Sequence, residues 1–211
     1  LVPGGDEHIC DRYLDTPKRD LWRGGYACRV RERGDGQAWT ICLKGLGGVR
    51  GAVHQRAEHE VDVPAHAAPS DWPEGPVRRL VLRFAPVQAL EPLFTLQQHR
   101  TRRDVWRGSR HVAQVSLDRV GIESGASHVS YEMEIELTPG GGMDDLVVMG
   151  KLLRPYGLRP QPKSKFERAL QLADAARAVA SGDAPQDAPP TAGAVPPASP
   201  APGAPVRART A

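Results

Sequence analysis

The stretch Ser130-Tyr-Glu-Met-Glu-Ile-Glu-Leu137 alternates between acidic and apolar side chains, which is the pattern of a β-strand with two different faces. As a strand, it places three carboxylates on one face: Glu132, Glu134 and Glu136. Neighbouring like charges repel each other, so either water screens them on an outer surface or cations meet them on an inner one. The other predicted strands decide between these two arrangements.

Two consecutive segments supply positive charge with the same alternation. The segment Tyr26–Arg33 places Arg29 and Arg31 on one face. After a glycine-containing turn signal, the segment Ala38–Lys44 returns and brings Lys44 to the same side. We therefore predict a hairpin whose two strands share a cationic face.

Three further segments extend the pattern. Residues 97–106 carry Arg100 and Arg102 on one face, although a slip of one residue would exchange the faces. Residues 111–118 alternate up to Asp118. Residues 55–63 are predicted as one strand with an acidic face that includes two glutamates: Glu58 and Glu60.

The charges are thus separated by strand, with the cations on some strands and the carboxylates on others. A single charged face is most simply a solvated surface, but several such strands favour a sheet closed around its charged faces. A dry interior would not tolerate them, because an unpaired buried charge costs on the order of several kcal/mol. Arginine binds phosphate in a bidentate fork and carboxylates hold Mg²⁺, so we predict a hollow barrel that holds a metal-bound polyphosphate.

Length and composition set broader limits. The chain has 211 residues, 40% of them hydrophobic, and a formal net charge of +3, which is too small to indicate nucleic-acid binding by bulk charge. Its three cysteines match no zinc pattern, and no signal segment or apolar run of membrane-spanning length is present. We expect a cytoplasmic protein with no specific nucleic-acid partner and no membrane partner.

Seven short stretches carry a family resemblance by their order and spacing: Tyr13–Pro17, Gly25–Arg31, Thr40–Lys44, Glu58–Glu60, Arg100–Arg102, Leu117–Asp118 and Glu132–Glu136. With them, the chain resembles the CYTH domain, or triphosphate tunnel metalloenzyme family, over about residues 13–172. The stretch Leu158–Arg168 is most similar to the bacterial inorganic triphosphatase branch of that family.

The resemblance implies an α+β fold, namely a mainly antiparallel β-barrel of the triphosphate-tunnel type with helices packed outside. The family's first strand carries Glu-x-Glu-x-Lys, which residues 1–12 do not match, so we expect this first strand to be missing. We expect an N-terminally incomplete CYTH-like domain over residues 1–180. Residues 181–211, rich in proline and alanine, are predicted to be a disordered tail or linker.

The resemblance also implies roles for single residues. The expected substrate-binding cations are Arg29, Arg31, Lys44, Arg100, Arg102 and Lys165. Lys163 is an alternative to Lys165, and a surface position at a helix start is an equal alternative for both. Lys44 and Asp118 are the expected catalytic residues, with Asp118 positioning a lysine or the water; alternatively, Asp118 only caps a turn.

The expected cofactor is Mg²⁺, or alternatively Mn²⁺. Its predicted ligands are Glu134 and Glu136, assisted by Glu132, Glu58 and Glu60; the alternative is ion pairing of these glutamates with the arginine strands. The implied reaction is hydrolysis of inorganic triphosphate to pyrophosphate and phosphate. Thiamine triphosphatase activity, class IV adenylate cyclase activity and a non-catalytic polyphosphate-binding module stay open as alternatives, as does a homodimeric assembly.

Overall fold

The structure, a computed structural model, describes residues 1–33, 36–47, 49–50, 53–86, 89–123, 128–181 and 206–210. Within these ranges, ten strands form one sheet in which every pairing is antiparallel. The strands are β1 (Val2–Asp15), β2 (Tyr26–Arg33), β3 (Ala38–Gly45), β4 (Val49–Arg50), β5 (Val53–Gln55), β6 (Glu58–Pro64), β7 (Glu91–Arg107), β8 (Arg110–Glu123), β9 (His128–Leu137) and β10 (Val206–Thr210).

The strand order is β4-β5-β10-β9-β8-β7-β1-β2-β3-β6. Although β5 and β6 lie near opposite ends of this order, only Arg56 and Ala57 separate them along the chain. The sheet must therefore curve until its two ends come close together, even though the described residues form no ladder that closes it. This confirms the predicted α+β fold with a mainly antiparallel, barrel-like sheet.

Four α-helices accompany the sheet in the described part of the chain: α1 (Asp20–Arg23), α2 (Pro76–Phe84), α3 (Met143–Leu153) and α4 (Lys165–Ser181). Helix α2 packs through Val77 and Val81 on the apolar face of the β2–β3 hairpin. Helix α3 packs through Leu146 against β8 and β9. None of the helices in these ranges is long and apolar enough to cross a membrane.

Helix α4 packs on a different face of the sheet from α2 and α3. It contacts the face of β7 and β8 that, further along both strands, carries the charged side chains Arg100 and Asp118. Phe166 of α4 packs with Tyr13, Phe94 and Leu96 in an apolar cluster. The ring centroids of Tyr13 and Phe166 are 5.2 Å apart, and those of Phe94 and Phe166 are 5.7 Å apart. Helix α4 therefore closes one end of the charged interior with an apolar contact.

Several predicted elements differ from the observed ones in extent. The predicted strand over residues 55–63 is wrong as one element, because the structure has β5, a break at Arg56–Ala57, and then β6. Strand β7 begins six residues before the predicted segment at Gln97, with Glu91. Most of the predicted tail lies outside the described residues, but its residues Val206–Thr210 form β10, paired with β9 and β5.

Candidate active site

Strand alternation and curvature bring charged side chains from most of the sheet into one cavity. The cavity lies next to α4, on the inner face of β1, β2, β3, β7 and β9. Its described lining consists of Asp11, Tyr13, Ala27, Arg29, Arg31, Lys44, Leu46, Arg56, Gln98, Arg100, Glu134, Ser164, Lys165 and Phe166.

On one side of the cavity, Asp11 holds the two arginines of β2. Arg31 donates through Nε and Nη2 to the two carboxylate oxygens of Asp11, at 2.8 and 3.0 Å, and Arg29 Nη1 lies 3.7 Å from Asp11 Oδ2. Burial alone would raise the pKa of Asp11, but the Arg29 and Arg31 guanidiniums outweigh burial and hold the pKa below its ordinary value. Burial acts to lower the pKa of Arg29, but Asp11 together with Cys42, Tyr13 and Glu60 outweighs burial and raises the pKa, so both Arg29 and Asp11 stay charged.

The adjacent part of the wall combines β3 and β6. Lys44 is buried, and its Nζ lies 3.0 Å from Glu58 Oε2. Arg56 is also buried, and its Nε lies 4.0 Å from Glu58 Oε1. Glu60, whose side chain is half exposed, accepts from Arg29 Nη2 at 3.3 Å. The two predicted glutamates of β6 therefore contact Arg29 and Lys44, two of the cations predicted to bind substrate.

The opposite wall, from β7, β8 and β9, carries a second buried charge cluster. Arg100 donates to both oxygens of Asp118, at 2.7 and 2.6 Å, and to Glu134 at 3.2 Å. The pKa of Arg100 is raised, because these carboxylates outweigh the opposing effect of burial. Register explains the grouping, since β8 pairs Asp118 with Arg100 on one side and with Glu132 on the other.

Helix α4 contributes two cations to this cluster from its first turn. Lys165 Nζ donates to Asp118 and lies 3.3 Å from Glu134 and 3.6 Å from Glu132. Arg168 Nη2 lies 2.9 Å from Glu132. The capping box at Ser164 fixes this turn: the Ser164 N–H donates to Glu167 Oε2 at 2.7 Å, and Ser164 Oγ accepts from the Glu167 N–H at 3.2 Å.

The structure brings most of the predicted site residues together. Six of them line the cavity: Arg29, Arg31, Lys44, Arg100, Lys165 and Glu134. Four more contact these residues directly: Asp118, Glu58, Glu60 and Glu132. Two lie further along the strands, outside the described lining: Arg102, whose Nε is 3.7 Å from Glu7, and Glu136. Lys163 is exposed and donates to Gln171 at 3.1 Å, so Lys165 is the lysine that enters the cavity.

Three buried or half-buried charged residues of this region were not identified from the sequence. Asp11 lies on the same face of β1 as Ile9 and Tyr13, and extending the predicted strand upstream from Tyr13 would have revealed this position. Arg56 lies in the break between β5 and β6, where alternation gives no guidance. Arg168 follows Lys165 by three residues, which is the spacing of neighbours on a helix surface.

The carboxylates of this site have the donor chemistry that Mg²⁺ or Mn²⁺ requires. Glu132 and Glu134 are buried oxygen donors two residues apart on one strand face. In the side-chain positions of the described residues, however, no three acidic, histidine or cysteine groups converge as a metal site. Lys165, Arg168 and Arg100 form ion pairs with these carboxylates instead. The residues therefore fit a metal by donor type, and a bound metal ion would have to replace these cationic side chains.

Known proteins share this architecture. A putative adenylate cyclase from Bacillus halodurans is 18% identical, with a TM-score of 0.54, over 77% of this chain and 82% of its own. The putative adenylyl cyclase HpAC1 from Hippeastrum, described as having a dominant triphosphatase activity, is 17% identical, with a TM-score of 0.55, over 87% of this chain and 86% of its own. At these identities the two structures show a common fold. The model of the CYTH domain family matches residues 3–170, most of the chain, and the protein therefore belongs to the CYTH domain family.

Proposed function

We propose that this CYTH protein hydrolyses inorganic triphosphate to pyrophosphate and phosphate with Mg²⁺ or Mn²⁺, as in the bacterial inorganic triphosphatase branch. CYTH proteins bind triphosphate substrates. The observation that carries the proposal is the charge of the cavity, whose described lining has six cationic side chains and only two carboxylates. The cations are Arg29, Arg31, Lys44, Arg56, Arg100 and Lys165. A polyanion with no organic part suits a wall of this composition.

The arginines and lysines of the wall would bind the phosphate oxygens. Arg29 contacts the carboxylates of Asp11 and Glu60, and Lys44 contacts that of Glu58, and these contacts orient both cations at the cavity wall. In a site that excludes water, such oriented cations stabilise charge that develops on phosphate oxygens in the transition state.

In the reaction, a water oxygen forms a bond to the terminal phosphorus while the anhydride P–O bond on the other side breaks. Pyrophosphate leaves with the electron pair of that bond, and the water releases its protons to solvent. Asp118 holds Lys165 and Arg100 on one wall, so its role in the proposal is to position these two cations. Lys44 neutralises charge on the transferred group from the other wall.

Glu134 and Glu136 are the proposed metal ligands, with Glu132 next to them. When bound there, a divalent cation would draw charge from the phosphate oxygens and orient the leaving group. The chain supplies the carboxylates. When no metal is bound, Lys165 and Arg168 form ion pairs with them.

Phosphate release from tripolyphosphate in the presence of Mg²⁺ tests the proposal. We expect release by the unchanged chain and a loss of at least about 100-fold in Arg29→Ala. Arg79→Ala, on the exposed face of α2, is the matched control and should retain activity. No release above the Arg29→Ala rate would contradict the proposal, and tight calorimetric binding without turnover would instead support a non-catalytic polyphosphate-binding module.

One observation favours an organic triphosphate as a second candidate. A neighbouring cavity of about 280 Å³ lies between α4 and the ends of β7, β8 and β9, and it shares Lys165 with the charged cavity. Its wall is partly apolar, with Leu96, Val120, Ile122 and Leu172. Thiamine triphosphate or ATP could place its organic group there. A higher kcat/KM for either compound than for tripolyphosphate would favour this candidate.

A further inference from the structure

Arg56 is a buried cation of the cavity that belongs to no strand. It lies in the break between β5 and β6, is only 7% exposed, and lines the same cavity as Arg29 and Lys44. The backbone next to it is fixed, because the Gly45 N–H donates to the Ala57 carbonyl oxygen at 3.0 Å. The break therefore places Arg56 beside the end of β3.

The carboxylate of Glu58 faces both Arg56 and its neighbour Lys44. The two oxygens of Glu58 face different cations, with Lys44 Nζ at 3.0 Å and Arg56 Nε at 4.0 Å. A long cationic side chain in a buried position needs such a partner, because burial disfavours an unpaired charge. Glu58 thus helps to hold two positive groups at the cavity wall.

Arg56 lies at the closed end of the cavity. The register of β2 and β3 orders the cations along the strands as Arg31, Arg29 and then Lys44, with Arg56 beyond them next to residue 45. Leu46, the following residue, packs on the apolar cluster that contains Phe166 of α4. Arg31 is the more exposed cation at the other end, with 35% of its side chain accessible.

We propose that Arg56 binds the terminal phosphate at the closed end and thereby makes the site selective for triphosphate over pyrophosphate. A shorter anion can be held by Arg31, Arg29 and Arg100 without reaching this end, whereas a triphosphate gains one more charge-assisted contact there. The inference rests on the proposed role of the cavity as a phosphate site and adds which residue senses the length of the anion.

Calorimetric binding of sodium tripolyphosphate and of pyrophosphate, in EDTA to stop metal-dependent turnover, tests this role. A hydrogen bond to a charged group contributes enough that Arg56→Gln should weaken tripolyphosphate binding by about 10- to 100-fold. Pyrophosphate binding should weaken by less than about threefold. Arg56→Lys, which keeps the charge, should recover part of the lost affinity, and Arg79→Gln on the exposed face of α2 should match the unchanged chain.

If Arg56→Gln weakens the binding of both anions equally, or weakens neither, the length-sensing role is overturned and Arg56 is only a partner of Glu58. Thermal unfolding of each variant identifies a folding defect, and Arg56→Lys then decides, because it preserves the ion pair and still changes the phosphate contact. If the unchanged chain binds tripolyphosphate without hydrolysing it, the proposed function fails while the two affinities still decide the role of Arg56. If it binds neither anion in EDTA, the role proposed for Arg56 fails, while phosphate release in the presence of Mg²⁺ decides the proposed function separately.

Discussion

The inner faces of β7 and β8 carry two different environments within a few residues. At the α4 end, Phe94 and Leu96 of β7 pack with Val120 of β8 in an apolar cluster. Further along the same face, Arg100 of β7 meets Asp118 of β8 in a buried ion pair. Because side chains on one strand face repeat every second residue, the change from apolar to charged takes place between Leu96 and Arg100.

Helix α4 lies at the boundary and serves both parts. Phe166 enters the apolar part, while Lys165, one residue earlier, enters the charged part and meets Asp118 and Glu134. We therefore expect the apolar part to anchor the helix and the charged part to bind ligand. Variants that separate stability from activity can break or sharpen this division.

The largest effect is expected for Glu134→Gln in the charged part. The substitution keeps the shape of the side chain but removes the charge next to Arg100 and Lys165 and the proposed metal ligand. A metal contact is worth several kcal/mol in the transition state, so kcat/KM for tripolyphosphate should fall at least about 100-fold. Steady-state kinetics over a range of Mg²⁺ concentrations measure the loss.

Glu91→Gln, exposed at the start of β7, is the matched control and should leave the kinetics unchanged. If Glu134→Gln retains the kcat/KM and the Mg²⁺ dependence of the unchanged chain, the carboxylates of β9 do not hold the metal. Their contacts with Lys165 and Arg100 would then be structural ion pairs.

Phe94→Ala tests the apolar part. Phe94 is 4% exposed and packs against both Tyr13 and Phe166, with ring centroids 5.1 and 5.7 Å away. Truncating such a ring should lower the free energy of unfolding by about 3–5 kcal/mol. Urea unfolding measures the change, and Val179→Ala, at an exposed position near the end of α4, should change it by less than about 0.5 kcal/mol. A large loss of activity in folded Phe94→Ala would show that the two parts are not separable.

Strand alternation predicted the charged part well, because a period of two residues is a local property. It placed Glu132 and Glu134 together on β9, and both are buried on the inner face. It also placed Lys44 on the side of Arg29, and both line the cavity. The separation of the charges by strand was enough to predict an inner charged surface.

The apolar part could not be predicted in the same way. Leu96 and Arg100 share a strand face. Leu96 is buried in the apolar cluster because α4 packs on it, whereas Arg100 lies further along and lines the charged cavity. The choice between Lys163 and Lys165 likewise depends on where α4 begins, since one lysine is exposed and the other buried. Arg56 lies in a strand break whose geometry depends on pairing at both ends of the sheet.

Two buried aspartates of β1 should show opposite pH dependence. The folded pKa of Asp11 is lowered, since Arg29 and Arg31 outweigh burial. Its stabilising effect is thus complete above its unfolded pKa of about 3.9 and is lost as pH falls through the folded value. The difference in unfolding free energy between the unchanged chain and Asp11→Asn should be constant above about pH 5 and shrink in acid.

Asp15, two residues beyond Tyr13, is the internal comparison. Burial raises its pKa despite the N–H groups of Leu21 and Trp22, which donate to it at 2.9 Å. Its protonated form is therefore favoured in the folded state, and the difference from Asp15→Asn should shrink as pH rises through the folded pKa. Urea unfolding between about pH 3 and pH 7 measures both variants. The same pH trend in both would contradict the distinct surroundings assigned to them.

The smallest effect is expected on the outer face of the same strand pair. Arg12 of β1 and Glu32 of β2 form an ion pair at 2.8 Å, with 33% and 53% of their side chains accessible. A double-mutant cycle with Arg12→Ala and Glu32→Ala should give a coupling of about 0.2–1 kcal/mol, which added salt should reduce.

The equivalent cycle for Arg31 and Asp11, on the inner face, should give a larger coupling that depends less on salt. The Asp11 side chain is only 3% accessible, and a buried pair is screened much less than an exposed one. Equal couplings with equal salt dependence would mean that water reaches both faces alike. The charged faces would then be a solvated surface, and the cations of β2 would have no more reason to bind triphosphate than those on the outside.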